Sequence, residues 1–286
     1  MKIVRWLGGL DARLFQIIFQ LVLLTLGVLL RDFSLQAAQM ALALAVAALT
    51  QALWLRVLQL RDVGLLSALI TGCGLSLLLR ADNFWLHPLV ACLAISSKFL
   101  IRLRGKHVFN PANAGVCFAL LALPGAWVSP GQWGNDLGLA VWLLALGATV
   151  ADRARRNDAA WLFLATFLGL ILLRLLYLGH VPTRMVEIFT HQACNGALLL
   201  FAFFMISDPM TLPDRPWVRR LHVVLVALLA FAWQFLAYRP NGPLWALFCL
   251  APLVPLWDAI WPGKRHNWRE NIKLQNNVAM HGKIAG

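Results

Sequence analysis

Charged residues are scarce in this chain: Asp, Glu, Lys and Arg make up 13% of its 286 residues, while 60% are hydrophobic and the mean hydropathy is +0.72. A soluble domain carries roughly 25% charged residues, so this composition excludes an ordinary water-soluble fold. The sequence also lacks a low-complexity linker and any loop long enough to fold alone. Chemistry therefore has to lie in the membrane, in short loops or on partner chains. The five cysteines, Cys73, Cys92, Cys117, Cys194 and Cys249, form no CxxC pair. That spacing offers neither a zinc site nor a haem-attachment motif, and small buried hydrophobes are their expected role. No convincing acid–base pair or nucleophile stands out, so independent catalysis is not expected.

What the sequence has instead is a series of apolar runs of about 15 to 25 residues, each enough to cross a hydrocarbon core of roughly 30 Å. Ten are read, near 14–30, 35–55, 63–79, 84–101, 112–128, 137–151, 159–178, 188–206, 221–237 and 242–261. Backbone polar groups in lipid must be satisfied within the chain, so such runs are helices rather than barrel strands. The expected fold class is an all-α polytopic membrane protein with about ten transmembrane helices. Residues 1–263 form one transmembrane domain, and 264–286 form a basic cytoplasmic tail. The first run is too long for a signal-peptide core and has no small-residue cleavage site, so no removable signal peptide is expected.

The net charge of +13 would suggest nucleic acid in a soluble protein, but its distribution excludes that. Over alternate loops, 20 of the 25 cations fall on one side, among them Arg13, Lys98, Arg102, Lys106, Arg156, Lys264 and Arg265. Arg31, Arg80, Arg174, Arg184 and Arg239 fall on the other. The positive-inside rule then places both termini in the cytoplasm and makes anionic lipids the expected partners of the basic excess. Trp54, Trp217 and Trp261 sit at expected inner boundaries, and Trp85, Trp127 and Trp133 at outer ones, as an aromatic belt requires. An echo between the "CLA" segments at Cys92 and Cys249 hints at two related five-helix halves.

Two polar breaks interrupt this pattern on the same membrane face. "GKHVFNPANAG" enters the fifth span and "FFMISDPMT" leaves the eighth. The residue before a proline is pushed out of the helical region, so Asn110 and Asp208 are expected in extended or turn conformations. Pro111 fits a first helical turn, with Asn110 able to cap the amides beneath it. Capping accounts for Asn110, Pro111 and Pro209. It accounts less well for Asn113, one turn further in, and for Asp208, because polar groups near hydrocarbon usually face a bundle interior or a cavity. Asn110, Pro111, Asn113, Ser207 and Asp208 are thus the candidate lining of a pocket for a cofactor or an ion. Asp258 is expected in an ion pair with a cation such as Lys98, with a place facing a cavity as the alternative. Gly72 and Gly74 are expected to permit close helix packing rather than cradle a phosphate. His191, Gln192 and Asn195 fit either an outer polar vestibule or ordinary surface solvation.

"LLSALITGCGLSLLL", "GKHVFNPANAG", "AFFMISDPMT" and "GPLWALFCLAPLVPLWDAI", in that order, resemble one family. It is formed by the D subunit of the Rnf electron transport complex and the B subunit of the sodium-translocating NADH:quinone oxidoreductase. The resemblance covers nearly the whole chain and implies a ten-helix subunit in the bacterial cytoplasmic (inner) membrane. There, other membrane redox subunits are partners, and flavin-mediated electron transfer is coupled to sodium or proton movement. Family members carry FMN on a threonine in a Ser/Thr-Gly-Ala-Thr motif after the Asn-Pro helix. Here the corresponding loop, "WVSPGQWGNDLG" over 127–138, contains no threonine. Gly147-Ala148-Thr149 lacks the preceding Ser or Thr and lies at the cytoplasmic end of the sixth span. No covalent flavin is therefore expected. Three readings follow: a redox subunit holding non-covalent flavin (FMN or riboflavin), a solute or ion transporter derived from the same fold, or a membrane scaffold docking a redox partner.

Overall fold

Each of the ten apolar runs folds as helix, but several are broken. The computed structural model describes residues 12–30, 36–60, 64–129, 134 and 137–266. Its helices are α1 (Ala12–Leu30), α2 (Ala37–Val57), α3 (Leu66–Leu78), α4 (Leu86–Leu100), α5 (Pro111–Ala122) and α6 (Leu137–Arg153). They continue with α7 (Asn157–Tyr177), α8 (Pro182–Ala193), α9 (Gly196–Leu200), α10 (Pro216–Phe231), α11 (Gly242–Leu250) and α12 (Leu253–Ile260). Two of them run on into π-helical turns, α9 into Phe201–Met205 and α10 into Ala232–Leu236. Four short strands, β1 (Leu79–Ala81), β2 (Arg102–Leu103), β3 (Lys106–His107) and β4 (Ala126–Val128), pair antiparallel as β1 with β4 and β2 with β3. The fold is all-α in class. Three helices, Ala37–Val57, Asn157–Tyr177 and Pro216–Leu236, are long and apolar enough to cross a membrane, and five elements are if each bent pair counts as one span.

Two of the expected runs are bent rather than straight helices. The run at 188–206 is not one helix: α8 is amphipathic with no buried residue, and the chain turns by 46° before α9. Asn195 starts α9 by accepting the Leu198 N–H at 3.1 Å. The run at 242–261 also bends by 46°, between α11 and α12. Pro252 causes this, since it lacks an N–H and its ring crowds the preceding turn. The fifth apolar run, expected to be helical to residue 128, leaves the helix at Ala122. Pro124 forces Leu123 into an extended conformation, φ −115° and ψ 111°, and the chain continues as β4. Trp133, residues 130–132, 135 and 136 of the 127–138 loop, and the tail beyond His266 lie outside the described residues. So do the cations Lys2, Arg5, Arg31, Arg61, Arg269, Lys273 and Lys283.

Packing follows small residues. In α2 the buried stripe is Gln39, Ala43, Ala47 and Gln51, while Leu49, Leu53 and Val57 on other faces are 69%, 61% and 62% exposed. Spacing by four residues puts that stripe on one side of the helix, where it meets α3 and α4. A Cβ on Gly72 would come within 2.9 Å of the Leu44 side chain, and one on Gly115 within 2.8 Å of the Ala94 Cβ. The helices approach because no Cβ is there.

The helix pairing repeats. In the first set α1 packs on α3, α2 on α3 and α4, and α4 on α5. In the second, α6 packs on α9, α7 on the following π turn and on α10, and α10 on α11. The sets meet through α1 with α6 and α5 with α11. The "CLA" echo does not follow this repeat, because Cys92 lies in α4 and Cys249 in α11.

Candidate functional site: a cationic cavity between the two breaks

Both polar breaks are built by local hydrogen bonding and then joined. Pro111 occupies the first position of α5, and Asn110, extended at φ −62° and ψ 123°, accepts the Asn113 N–H on its Oδ1 at 3.1 Å. At the second break, the Ser207 Oγ donates back to the Phe203 carbonyl. Asp208 Oδ1 accepts the Met210 N–H at 3.0 Å, which turns the chain at Pro209. The Asn110 Nδ2 then donates to Asp208 Oδ2 at 3.1 Å. His107 Nε2 lies 3.8 Å from the same oxygen, an electrostatic contact too long for a hydrogen bond. Burial works against the Asp208 charge, but His107, the Met210 N–H and the Asn110 carboxamide outweigh it. They hold the carboxyl below its ordinary range.

Asn110, Pro111, Ser207 and Asp208 line a cavity of about 690 Å³, within the usual range for small-ligand pockets. Asn113 does not. It is 1% exposed, its N–H caps onto Asn110, and its Oδ1 faces the Cys117 Sγ at 3.7 Å. The expectation that Asn113 turns into the pocket is thus corrected: the first turn of α5 buries it against its own helix.

The sequence reading missed most of the remaining lining. Arg13, Gln16 and Gln20 come from α1, and their i, i+3, i+7 spacing in an otherwise apolar run is a legible one-face signal. Ser67, Thr71 and Gly74 come from α3. Lys98 closes one wall, where its Nζ donates to Gln51 Oε1 at 2.9 Å and to Ser67 Oγ at 2.6 Å. Phe99, Phe203 and Phe204 supply aromatic surface. Two buried lining atoms have no hydrogen-bond partner, Gln20 Oε1 and His107 Nε2. Among the described residues, Arg13, Lys98, Arg102, Lys264 and Arg265 line the cavity together with the carboxylate of Asp208. His266 joins them, its pKa pushed down to about 4 by burial first and then by Arg156 and Lys106.

The other candidates fall elsewhere. Asp258 pairs with Lys106, not Lys98: Lys106 Nζ lies 2.8 Å from Asp258 and 2.7 Å from Asp214, and donates to the Leu212 carbonyl at 3.0 Å. Arg80, counted among the outer cations, is 1% exposed and donates to the Ser76 and Leu79 carbonyls. Thr149 is exposed on α6 with its hydroxyl bonded back to the Ala145 carbonyl at 2.7 Å. His191, Gln192 and Asn195 line neither described cavity. Among the described residues no group of three or more His, Cys, Asp or Glu is placed to hold a metal ion. Compared with known proteins, the chain matches no protein-family model and no curated protein.

Proposed function

We propose that this chain is a membrane subunit of an Rnf/Nqr-like redox complex that holds a flavin non-covalently in the cavity between α1, α3, α5 and α9. The observation that carries the proposal is the joining of both polar breaks, through Asn110 and Asp208, at a cavity with aromatic walls and polar contacts. The residues suit such a group. Phe99 and Phe204 give the lining an aromatic character that suits a planar ring, and the unpartnered Gln20 Oε1 offers an acceptor to a ring N–H. When bound, the flavin supplies the electron-carrying chemistry. The protein contributes orientation, charge and exclusion of water. With no threonine over 127–138 and Thr149 bonded back within α6, the flavin's phosphate has no attachment point of the family type.

The same reading takes ten spans, both termini in the cytoplasm and two five-span halves in the bacterial inner membrane. The repeated pairing of α1–α5 in α6–α12 supports the halves. The short α3 supports a spanning path through its continuation: 13 residues of helix and three of strand rise about 30 Å. Pairing of β1 with β4 satisfies the backbone there, as a lipid environment demands.

The test is spectroscopic. Protein purified in mild detergent is expected to show flavin absorbance, and denaturation is expected to release it. Fluorescence left on the denatured chain would refute non-covalent binding, and a colourless protein that takes up no added flavin would remove the reading altogether. The excess of cations over Asp208 favours a second reading, passage of an anionic solute. Solute flux in liposomes without any redox partner distinguishes it.

A further inference from the structure

One end of the cavity is built from chain ends and loops rather than from helix interiors. Its lining on α3 runs from Ser67, in the first turn, to Leu78 at the helix end. At the Ser67 end stand Arg13 in the first turn of α1, Leu60 after α2 and Arg102 after α4. Lys264, Arg265 and His266, which follow α12, complete that wall. The path of this last segment is fixed in three places. Trp261, which ends α12, packs on Trp217 and Trp257 with ring centroids 5.2 and 5.5 Å away. Gly263 then crosses the backbone of Asp214 and Arg215 so closely that an added Cβ would come within 2.6 Å of the Arg215 nitrogen. Beyond it, Arg265 lays its guanidinium over Gly105 in the turn between β2 and β3. Gly105 has a φ of +77°, and a Cβ there would lie 3.1 Å from the Arg265 Nη1. His266 reaches the neighbourhood of Arg156, Asp208 and Lys106, whose charges act on it.

The three fixings differ in strength. The Trp261 root is held by stacked rings, whereas Pro262, Gly263, Lys264 and Arg265 are exposed. Lifting those four residues uncovers little apolar surface, and segments with few buried apolar contacts open at low free energy. Gly263 has the backbone freedom to act as the pivot, and the Arg265 contact with Gly105 is the latch. We infer that residues 263–266 are a strap over the entrance of the cavity, pivoting at Gly263 and latched by Arg265, and that a ligand enters and leaves by lifting it. The inference concerns access and holds whatever the cavity binds, so it stands apart from the flavin reading. It explains why glycine occupies both 105 and 263: one leaves room for the latch, the other for the crossing.

The experiment places a thiol inside the cavity and measures how fast it reacts. Thr71 lines the cavity about 6 Å further along α3 than Ser67. Thr71→Cys in the full chain, in mild detergent, is treated with iodoacetamide, and alkylation of residue 71 is followed by mass spectrometry. Cys73, two residues on, has no exposed surface and does not line the cavity, so it reports whether the bundle stays closed. Gly263→Val drives the strap off the 214–215 backbone, and Arg265→Ala removes the latch from an exposed position. Each is expected to raise the rate at residue 71 by about fivefold or more, with Cys73 unmodified. An unchanged rate in both variants overturns the inference. Alkylation of Cys73 together with residue 71 in the Arg265→Ala protein means that the bundle opens rather than the strap, and overturns it too. A residue 71 thiol that reacts only with a membrane-soluble maleimide, at a rate neither variant alters, would place the entrance between helices, with the same consequence.

Discussion

The Asn110 carboxamide donates to Asp208 across 98 residues of sequence at 3.1 Å, while its other end caps α5. One side chain therefore fixes the start of α5 and ties it to the turn after α9, and the cavity opens between them. Asn110→Asp keeps the capping oxygen but replaces the donor with a carboxylate facing Asp208. It is expected to lose bound flavin and to lower the thermal midpoint in detergent, with partial recovery as pH falls into the carboxylate range. Asn110→Ala removes the cap as well, at a cost of about 1 kcal/mol for that alone. Flavin retention in both variants would break the link between this hydrogen bond and the cavity.

Lys106 bridges Asp214 and Asp258 with 7% of its surface exposed. Removing one partner of a buried ion pair leaves uncompensated charge and costs about 3–5 kcal/mol. Lys106→Met is expected to destabilise the protein by that order, read from unfolding in detergent. Adding Asp214→Asn and Asp258→Asn to the same chain is expected to restore most of the loss. If the triple variant stays as unstable as the single one, the cost lies in packing rather than in charge.

The helical fold and the two breaks were legible because proline and Asx residues act locally: Asn110-Pro111 and Asp208-Pro209 announce their turns in the sequence. The end of α5 was legible too, in Pro124, but the apolar residues on both sides masked it. Less was written for the pi turn at Phe201–Met205, whose residues are uniformly apolar and reveal no register. Asn113 was misplaced because a polar residue one turn into a helix fits equally a cavity wall or its own helix interior. The cationic rim escaped notice because its members were read as topology signals. Charge counting records the side of the membrane, not whether Lys98 points at a carboxylate, at Gln51 and Ser67, or at lipid. Only the tertiary fold brings Arg13, Lys98, Arg102 and Arg265 to one cavity.

Gly147 on α6 lies against Phe203: an added Cβ would meet the ring within 2.8 Å. Overpacking of this kind costs about 1–3 kcal/mol, and Phe203 is itself a cavity wall. Gly147→Ala is expected to lower both stability and flavin affinity. Gly169 on α7 has nothing within 4 Å, so Gly169→Ala is the control and is expected to stabilise by up to about 1 kcal/mol through helix propensity. A Gly147→Ala protein with full affinity would mean that Phe203 has room to yield.

His266 gives the protein a pH dependence whose direction is fixed. Its folded pKa is about 4 against an ordinary value of 6.5, so between those limits the unfolded chain binds more protons than the folded one. Stability then rises with pH across this window: the contribution is complete above about 6.5 and declines as pH falls toward 4. Asp208, held below the usual carboxylate range, acts in the same direction at still lower pH, where protonation removes its contribution. The thermal midpoint of the flavin-free protein is therefore expected to drop between pH 7 and 5, before carboxylates titrate. His266→Gln should make that segment measurably shallower and leave the steeper loss below about pH 4 intact. An unchanged slope between pH 7 and 5 in the variant would show that His266 stays as accessible to protons folded as unfolded. The burial that depresses its pKa would then not hold in solution.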